Sequence, residues 1–223
     1  WQMPSGTRSE VMDEEVLDLL YKSGCRALAF APESGSTEIL DLVKKRVNLV
    51  NMRKAVKNAV KRGLKVSCFF VIGFPQDNKQ SLKQTFKVLI ELAVLGAHDV
   101  SVSKFVPYPG SELFLSLQKQ GKIELDDKFF VSPIDFYNRD AECYAEALTA
   151  RRLYWSMILM YTAFYITSFV SHPWRTTLTL YHAIFFRVEE ARYAKWLVDR
   201  LFVRPIWRKS LVNDPSLTTK NPT

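Results

Sequence analysis

Three times within the first 115 residues a β-rich apolar segment runs straight into a Gly/Pro turn, and each is entered through a glycine that closes a helix-like stretch. The segments are residues 27–36 (ALAFAPESGS), 65–77 (KVSCFFVIGFPQD) and 99–113 (DVSVSKFVPYPGSEL). Their starts at 27, 65 and 99 lie 38 and 34 residues apart, the length of one strand, one helix and two short loops in a parallel α/β fold. Between them Val16, Leu17, Leu20 and Tyr21, then Leu49, Met52, Val56, Ala59 and Val60, then Leu82, Phe86, Leu89 and Ala93 recur at helical spacing. These runs stop at Gly24, Gly63 and Gly96, where glycine takes up the left-handed backbone that ends a helix. The strands predicted over 27–31, 66–73 and 100–106 are nearly continuous apolar runs, as in a parallel sheet covered on both faces. Taken alone, the strand at 27 would be an unpaired apolar edge, so the pattern reads as half of a barrel or open sheet. Ligands in such folds bind where strands end, which makes the turns ESGS, GFPQD and PYPGSEL one candidate site.

Several chemistries are excluded by what the chain lacks. Cys25, Cys68 and Cys143 are too scattered for a disulfide framework, a zinc site or an iron-sulfur ligand set, and they fit a reducing cytosolic setting. A nucleotide-binding protein of another kind is disfavoured because neither GxGxxG nor GxxxxGK[ST] is present. Residues 1–10 do not form a signal peptide, and the chain opens without Met in what reads as a strand end, so it is expected to be the C-terminal piece of something longer. Of the net charge of +8, almost all is C-terminal: residues 1–150 hold 20 Lys/Arg against 19 Asp/Glu, and 151–212 hold 10 against 3. A near-neutral first part argues against nucleic acid, and a basic second part invites an anionic partner.

From Trp1 to Ile123 the motifs WQMPSGTR, APESGS, LVKKRV, VIGFPQD and FVPYPGSEL, in that order, closely resemble the C-terminal half of the radical S-adenosylmethionine (radical SAM) core. They look most like the branch with cobalamin-dependent enzymes and the anaerobic magnesium-protoporphyrin ester cyclase. The resemblance implies an α/β fold, the C-terminal half of a partial (β/α)6 barrel over residues 1–125. It also implies SAM and a 4Fe-4S cluster held by a CxxxCxxC loop. No such loop exists in these 223 residues, so the cluster ligands, and any cobalamin domain, are expected in a preceding N-terminal half.

The resemblance assigns this half the positioning of SAM. Glu33 and Ser34 fall where the family reads the ribose or the amino-acid end; the plainer reading is a loop carboxylate and a serine capping the next helix. Lys45 or Arg46 stands where a basic residue reaches the SAM carboxylate, and a guanidinium fork suits a carboxylate; such basic runs also coat solvated helix ends. Arg8 either reaches the site or pairs with Glu10. Gly73, Phe74 and Pro75, with Pro109 and Gly110, form two successive turns where the backbone could approach adenine, although tight turns need Gly and Pro for their own geometry. No residue is assigned a catalytic or metal-binding role. Residues 126–150 read as an irregular connecting segment whose Phe129, Phe130, Phe136 and Tyr137 either shape a substrate pocket or pack the barrel end.

From Leu153 to Trp174 no side chain carries a formal charge, which meets the length of a membrane-spanning helix, and a second uncharged run covers 176–186. Arginines flank both sides, against the positive-inside tendency for a single span. Residues 151–212 are therefore expected to form a basic helical extension associated with the cytoplasmic leaflet; a true span and a buried cap remain open. Residues 213–223 are polar and read as a disordered tail. Together these readings point to the C-terminal part of a cytoplasmic, membrane-associated radical SAM enzyme acting on a lipophilic small molecule, by radical or methyl-transfer chemistry. The rival reading is a non-catalytic, membrane-peripheral binding module that keeps the half-barrel as scaffold.

Overall fold

The structure is a computed structural model, and it describes residues 1–126, 129–130, 142–187 and 191–202. Strands β1 (Gln2–Thr7), β2 (Ala27–Glu33), β3 (Lys65–Ile72) and β4 (Asp99–Lys104) form one parallel sheet in the order β1-β2-β3-β4. Each strand lies beside its predecessor, the winding of a barrel rather than of a sheet with a strand-order reversal. Helices α1 (Glu14–Lys22), α2 (Thr37–Leu42), α3 (Leu49–Lys61) and α4 (Lys79–Val94) fill the crossovers, and α5 (Glu112–Lys119) follows β4. Asp13, Asn48, Asn78 and Ser111 cap α1, α3, α4 and α5 by accepting backbone N–H groups of the first turn. The predicted helix stops at Gly24, Gly63 and Gly96 all have positive φ.

One expectation is corrected. The strand at 27 is not an edge, because β1 pairs with it in parallel, Gln2 opposite Ala27 and Thr7 opposite Phe30. The sequence QMPSGT reads as no more than a strand end, because it is polar and carries a proline and a glycine. Proline is tolerated in a strand with one free side, which is where β1 lies in this sheet.

Alternation along β3 divides the sheet's two faces. Val66, Cys68, Phe70 and Ile72 are buried in the helix-side core with Leu28, Phe30, Met52, Val56, Leu89 and Leu92. Ser67, Phe69 and Val71 of β3, and Ser101 and Ser103 of β4, are only half-buried on the other face.

Helix α6 (Ala150–Ser171), capped by the Thr149 hydroxyl, belongs to this core. Its Leu153, Met157, Met160 and Phe164 are each at most 2% exposed and pack with α4 and β4. Each such side chain contributes on the order of 1.5–3 kcal/mol of burial. The Tyr161 hydroxyl accepts the Val102 N–H at 2.9 Å and lies 3.2 Å from the Val102 carbonyl, while the Tyr165 hydroxyl donates to Asp99 Oδ1 at 2.7 Å. The Tyr161 side chain thus occupies the Val102 backbone groups of β4 that a further strand would use, and Tyr165 holds the Asp99 side chain. The chain divides into compact units at 1–173 and 174–223. In the second, α7 (Pro173–Phe186) and α8 (Arg192–Phe202) form a small core of Ala183, Ala194 and Val198. Phe136, Tyr137 and the tail 213–223 lie outside the described residues.

Candidate functional site

The carboxyl ends of the four strands carry the three turns singled out from the sequence and the Arg8 turn after β1. At the end of β2, Glu33 takes a left-handed backbone, φ 63°. A non-glycine residue rarely does so without some strain, and such strain gathers at functional turns. Its half-buried carboxylate accepts a hydrogen bond from Lys45 Nζ at 2.9 Å. Ser34 is buried; its hydroxyl meets that of Thr85 on α4 at 3.2 Å and accepts the Ser36 N–H at 3.1 Å. The Gly35 N–H also donates to Thr85 Oγ1, and a Cβ on Gly35 would stand 2.5–2.7 Å from the backbone of Gln84 and Thr85. Only glycine lets the ESGS turn lie on α4 this closely. The plain reading of Ser34 as the cap of the next helix is corrected: α2 begins after Ser36, and the buried Ser34 hydroxyl instead fastens the turn through Thr85 and the Ser36 N–H, while Glu33 meets the basic run.

The basic run itself divides. Lys44 is bound to Glu112 at 2.6 Å, Lys45 to Glu33, and Arg46 is exposed with no ion-pair partner among the described residues. Arg8 is 77% exposed and lies 3.8 Å from Glu10. Arg8, Lys45 and Arg46 line one cleft of about 370 Å³ together with Thr7, Glu10 and Lys44, at the ends of β1 and β2. With four cations and one carboxylate among these lining residues, the cleft suits an anionic group.

The GFPQD turn is organised by a residue the sequence reading passed over. Asp77 is 2% exposed; its Oδ2 accepts the N–H groups of Gly73 at 2.7 Å and Phe74 at 3.0 Å, and its Oδ1 accepts the Ser81 hydroxyl at 2.5 Å. Burial pushes the Asp77 carboxyl above the usual range, with these three donors pulling the other way. Gly73 has φ 92°, and the atom nearest its missing Cβ is Leu153 Cδ2 at 2.5 Å. The Pro75 carbonyl accepts the Glu146 N–H at 3.0 Å, so residues 146–153 lie over this turn. Phe74 packs on Phe105 at 4.9 Å between ring centres, and Phe105 on Tyr144 at 6.1 Å, joining the turns after β3 and β4. Pro109 and Gly110 (φ 88°) stand open, with nothing within 4 Å of the Gly110 Cβ position. Lys104 at the end of β4 is also buried, its Nζ 5.7 Å from the centre of the Tyr154 ring; a lone Lys in a β4 run gave no sequence signal.

No group of three or more His, Cys, Asp or Glu side chains is placed to hold a metal among the described residues. Cys25 and Cys68 are buried within the core, and burial pushes the Cys68 thiol up to about 12, far from the thiolate an iron ligand must be.

Residues 4–89 match the family model described as "Radical SAM superfamily". Cytidylyl-2-hydroxyethylphosphonate methyltransferase of Streptomyces wedmorensis is 31% identical over 137 residues, 58% of this chain and 25% of that protein. Anaerobic magnesium-protoporphyrin IX monomethyl ester cyclase of Rubrivivax gelatinosus is 22% identical over 135 residues, 60% and 24%. The structure of the radical S-adenosylmethionine methyltransferase TsrM from Kitasatospora setae, with cobalamin and a 4Fe-4S cluster bound, superposes with a TM-score of 0.45 at 17% identity, covering 53% of this chain and 23% of that one. The chain spans about a quarter of the length of the curated relatives it matches.

Proposed function

We propose, on the premise that residues 4–89 belong to the radical SAM superfamily, that this chain is the SAM-positioning, substrate-lining part of a longer enzyme of the cobalamin-associated branch. The observation that carries the reading is the convergence of Arg8, Lys45 and Arg46 on one cleft at the ends of β1 and β2. SAM presents a carboxylate, an ammonium and a ribose diol, and this end of the sheet offers cations for the first and the Glu33 carboxylate for the others. Arg46 suits the SAM carboxylate best, since its fork donates two parallel hydrogen bonds and, unlike Lys44 and Lys45, it is not already tied to a carboxylate. Lys45 holds Glu33 in place, so the pair is oriented in advance of a ligand. Bound SAM would supply a methyl group or the precursor of a radical, and the half-buried face with Ser67, Phe69, Val71, Ser101 and Ser103 would line the chamber for a lipophilic substrate.

In the full-length protein, a Lys45→Ala, Arg46→Ala double change is expected to weaken SAM binding about tenfold to a hundredfold, the equivalent of roughly 1.5–3 kcal/mol for a charge-assisted contact. Calorimetric titration with SAM reads this directly. Unchanged affinity would return both residues to a solvated surface.

The cluster does not fit the side chains described here, and its ligands are assigned to another part of the protein. The chain alone is accordingly expected to be inactive. Anaerobic reconstitution followed by iron and sulfide analysis should find no stoichiometric cluster on this chain; four irons per chain, the content of one such cluster, would refute the assignment.

A further inference from the structure

Helix α6 carries two opposite stripes. The inner one, Leu153 to Phe164, is held against β4 and α4. The outer one, Trp155, Leu159, Thr162, Ile166 and Phe169, recurs at steps of four, three, four and three residues and faces outward. Trp155 is 54% exposed and Ile166 59%, and the stripe runs for about 21 Å at a helical rise of about 1.5 Å per residue. In the second unit, α7 exposes Trp174 at 80% and Phe185 at 67%, with Leu178, Tyr181 and Phe186. Apolar surface on this scale marks an interaction site.

We propose that the outer face of α6 and the exposed face of α7 each rest in the interface of an anionic lipid leaflet. Charge decides among the occupants. Residues 147–188 contain no Asp or Glu, Arg151 and Arg152 stand exposed at the start of α6, and 151–212 holds 10 Lys/Arg against 3 Asp/Glu. A second copy would bring cations to cations, whereas an anionic leaflet meets them with opposite charge and takes in tryptophan and tyrosine at its headgroup level. Crossing the bilayer conflicts with the fold, because the inner stripe and the bonds of Tyr161 and Tyr165 would have to leave the sheet. In-plane seating uses the outer stripe alone and keeps the sheet intact. This inference is independent of the SAM reading.

Co-sedimentation of the full-length protein with vesicles of phosphatidylcholine, with and without phosphatidylglycerol, tests it. Binding is expected to need phosphatidylglycerol and to weaken with salt. An Arg151→Gln, Arg152→Gln variant should bind about fivefold more weakly per charge removed. A Trp155→Ser, Ile166→Ser variant should bind more weakly at every salt concentration while keeping the wild-type melting temperature, since both side chains are exposed. Protein left in solution with the anionic vesicles, or binding unaltered in both variants, would overturn the proposal. So would a sedimentation-velocity dimer abolished by the Trp155→Ser change, or labelling of a cysteine replacing Ser171 from the far side of sealed vesicles.

Discussion

Replacing Asp77 with alanine is expected to cost about 3 kcal/mol or more of folding stability, because three buried donors lose their acceptor at once and each unsatisfied group costs roughly 1–3 kcal/mol. Urea titration of the 223-residue chain measures it. Asp77→Asn should cost much less, since the amide oxygen can still accept backbone N–H groups and the amide nitrogen can donate to Ser81. The pH dependence separates charge from shape. Burial raises the Asp77 pKa in the fold, so the folded chain holds this proton more tightly than the unfolded chain. That contribution is fully present below the unfolded value of 3.8 and is lost as pH rises through the folded one. The wild type should therefore lose ground against Asp77→Asn as pH rises through that window. A gap that widened in favour of the wild type would mean that the charged form is the one the turn prefers. An alanine variant as stable as the wild type would show that the turn closes without this carboxylate.

Phe164→Ala is expected to destabilise the chain by about 3–5 kcal/mol, the range for deleting a fully buried aromatic ring. The same change would cost little if α6 left the sheet for another environment, since lipid would take the place of either side chain. Denaturation monitored by circular dichroism, without vesicles and then with them, distinguishes the two. An equally large loss in both conditions is the result consistent with α6 staying on β4 while its outer face meets lipid.

Strands β2, β3 and β4 were legible because an apolar run bounded by a glycine and a Gly/Pro turn carries its own boundaries. Strand β1 was legible only as a strand end, and its pairing with β2 was not, since QMPSGT owes its place to the neighbouring ladder and not to apolar side chains. Helix α6 was legible as a helix and illegible in its packing: it is apolar around its whole circumference, so periodicity could not say which stripe meets the sheet. Charge disappears at residue 153, whereas the compact units part at 173. In the site, the basic run and the turn after β2 were visible as neighbours in the resemblance, and the 2.9 Å contact between Lys45 and Glu33 brings them together. The partner of Ser34, Thr85, lies 51 residues away and no local pattern announces it. Asp77 stood in a quoted motif, yet its acceptor role depends on a turn whose shape only the folded backbone supplies.

The bond between Tyr161 and Val102 also sets an order of events during synthesis. Strand β4 is complete at residue 104, but the side chain that meets the Val102 backbone on it comes 57 residues later. At roughly 5–20 residues per second, a ribosome needs about 3–11 s to make that stretch, and longer for it to clear the exit tunnel. Throughout that interval the nascent sheet presents β4 as an open, apolar-backed margin able to pair with another chain. Folding of this protein is thus closed from its carboxyl side, and a pause or premature stop between residues 104 and 161 would release a template for aggregation instead of a smaller stable domain.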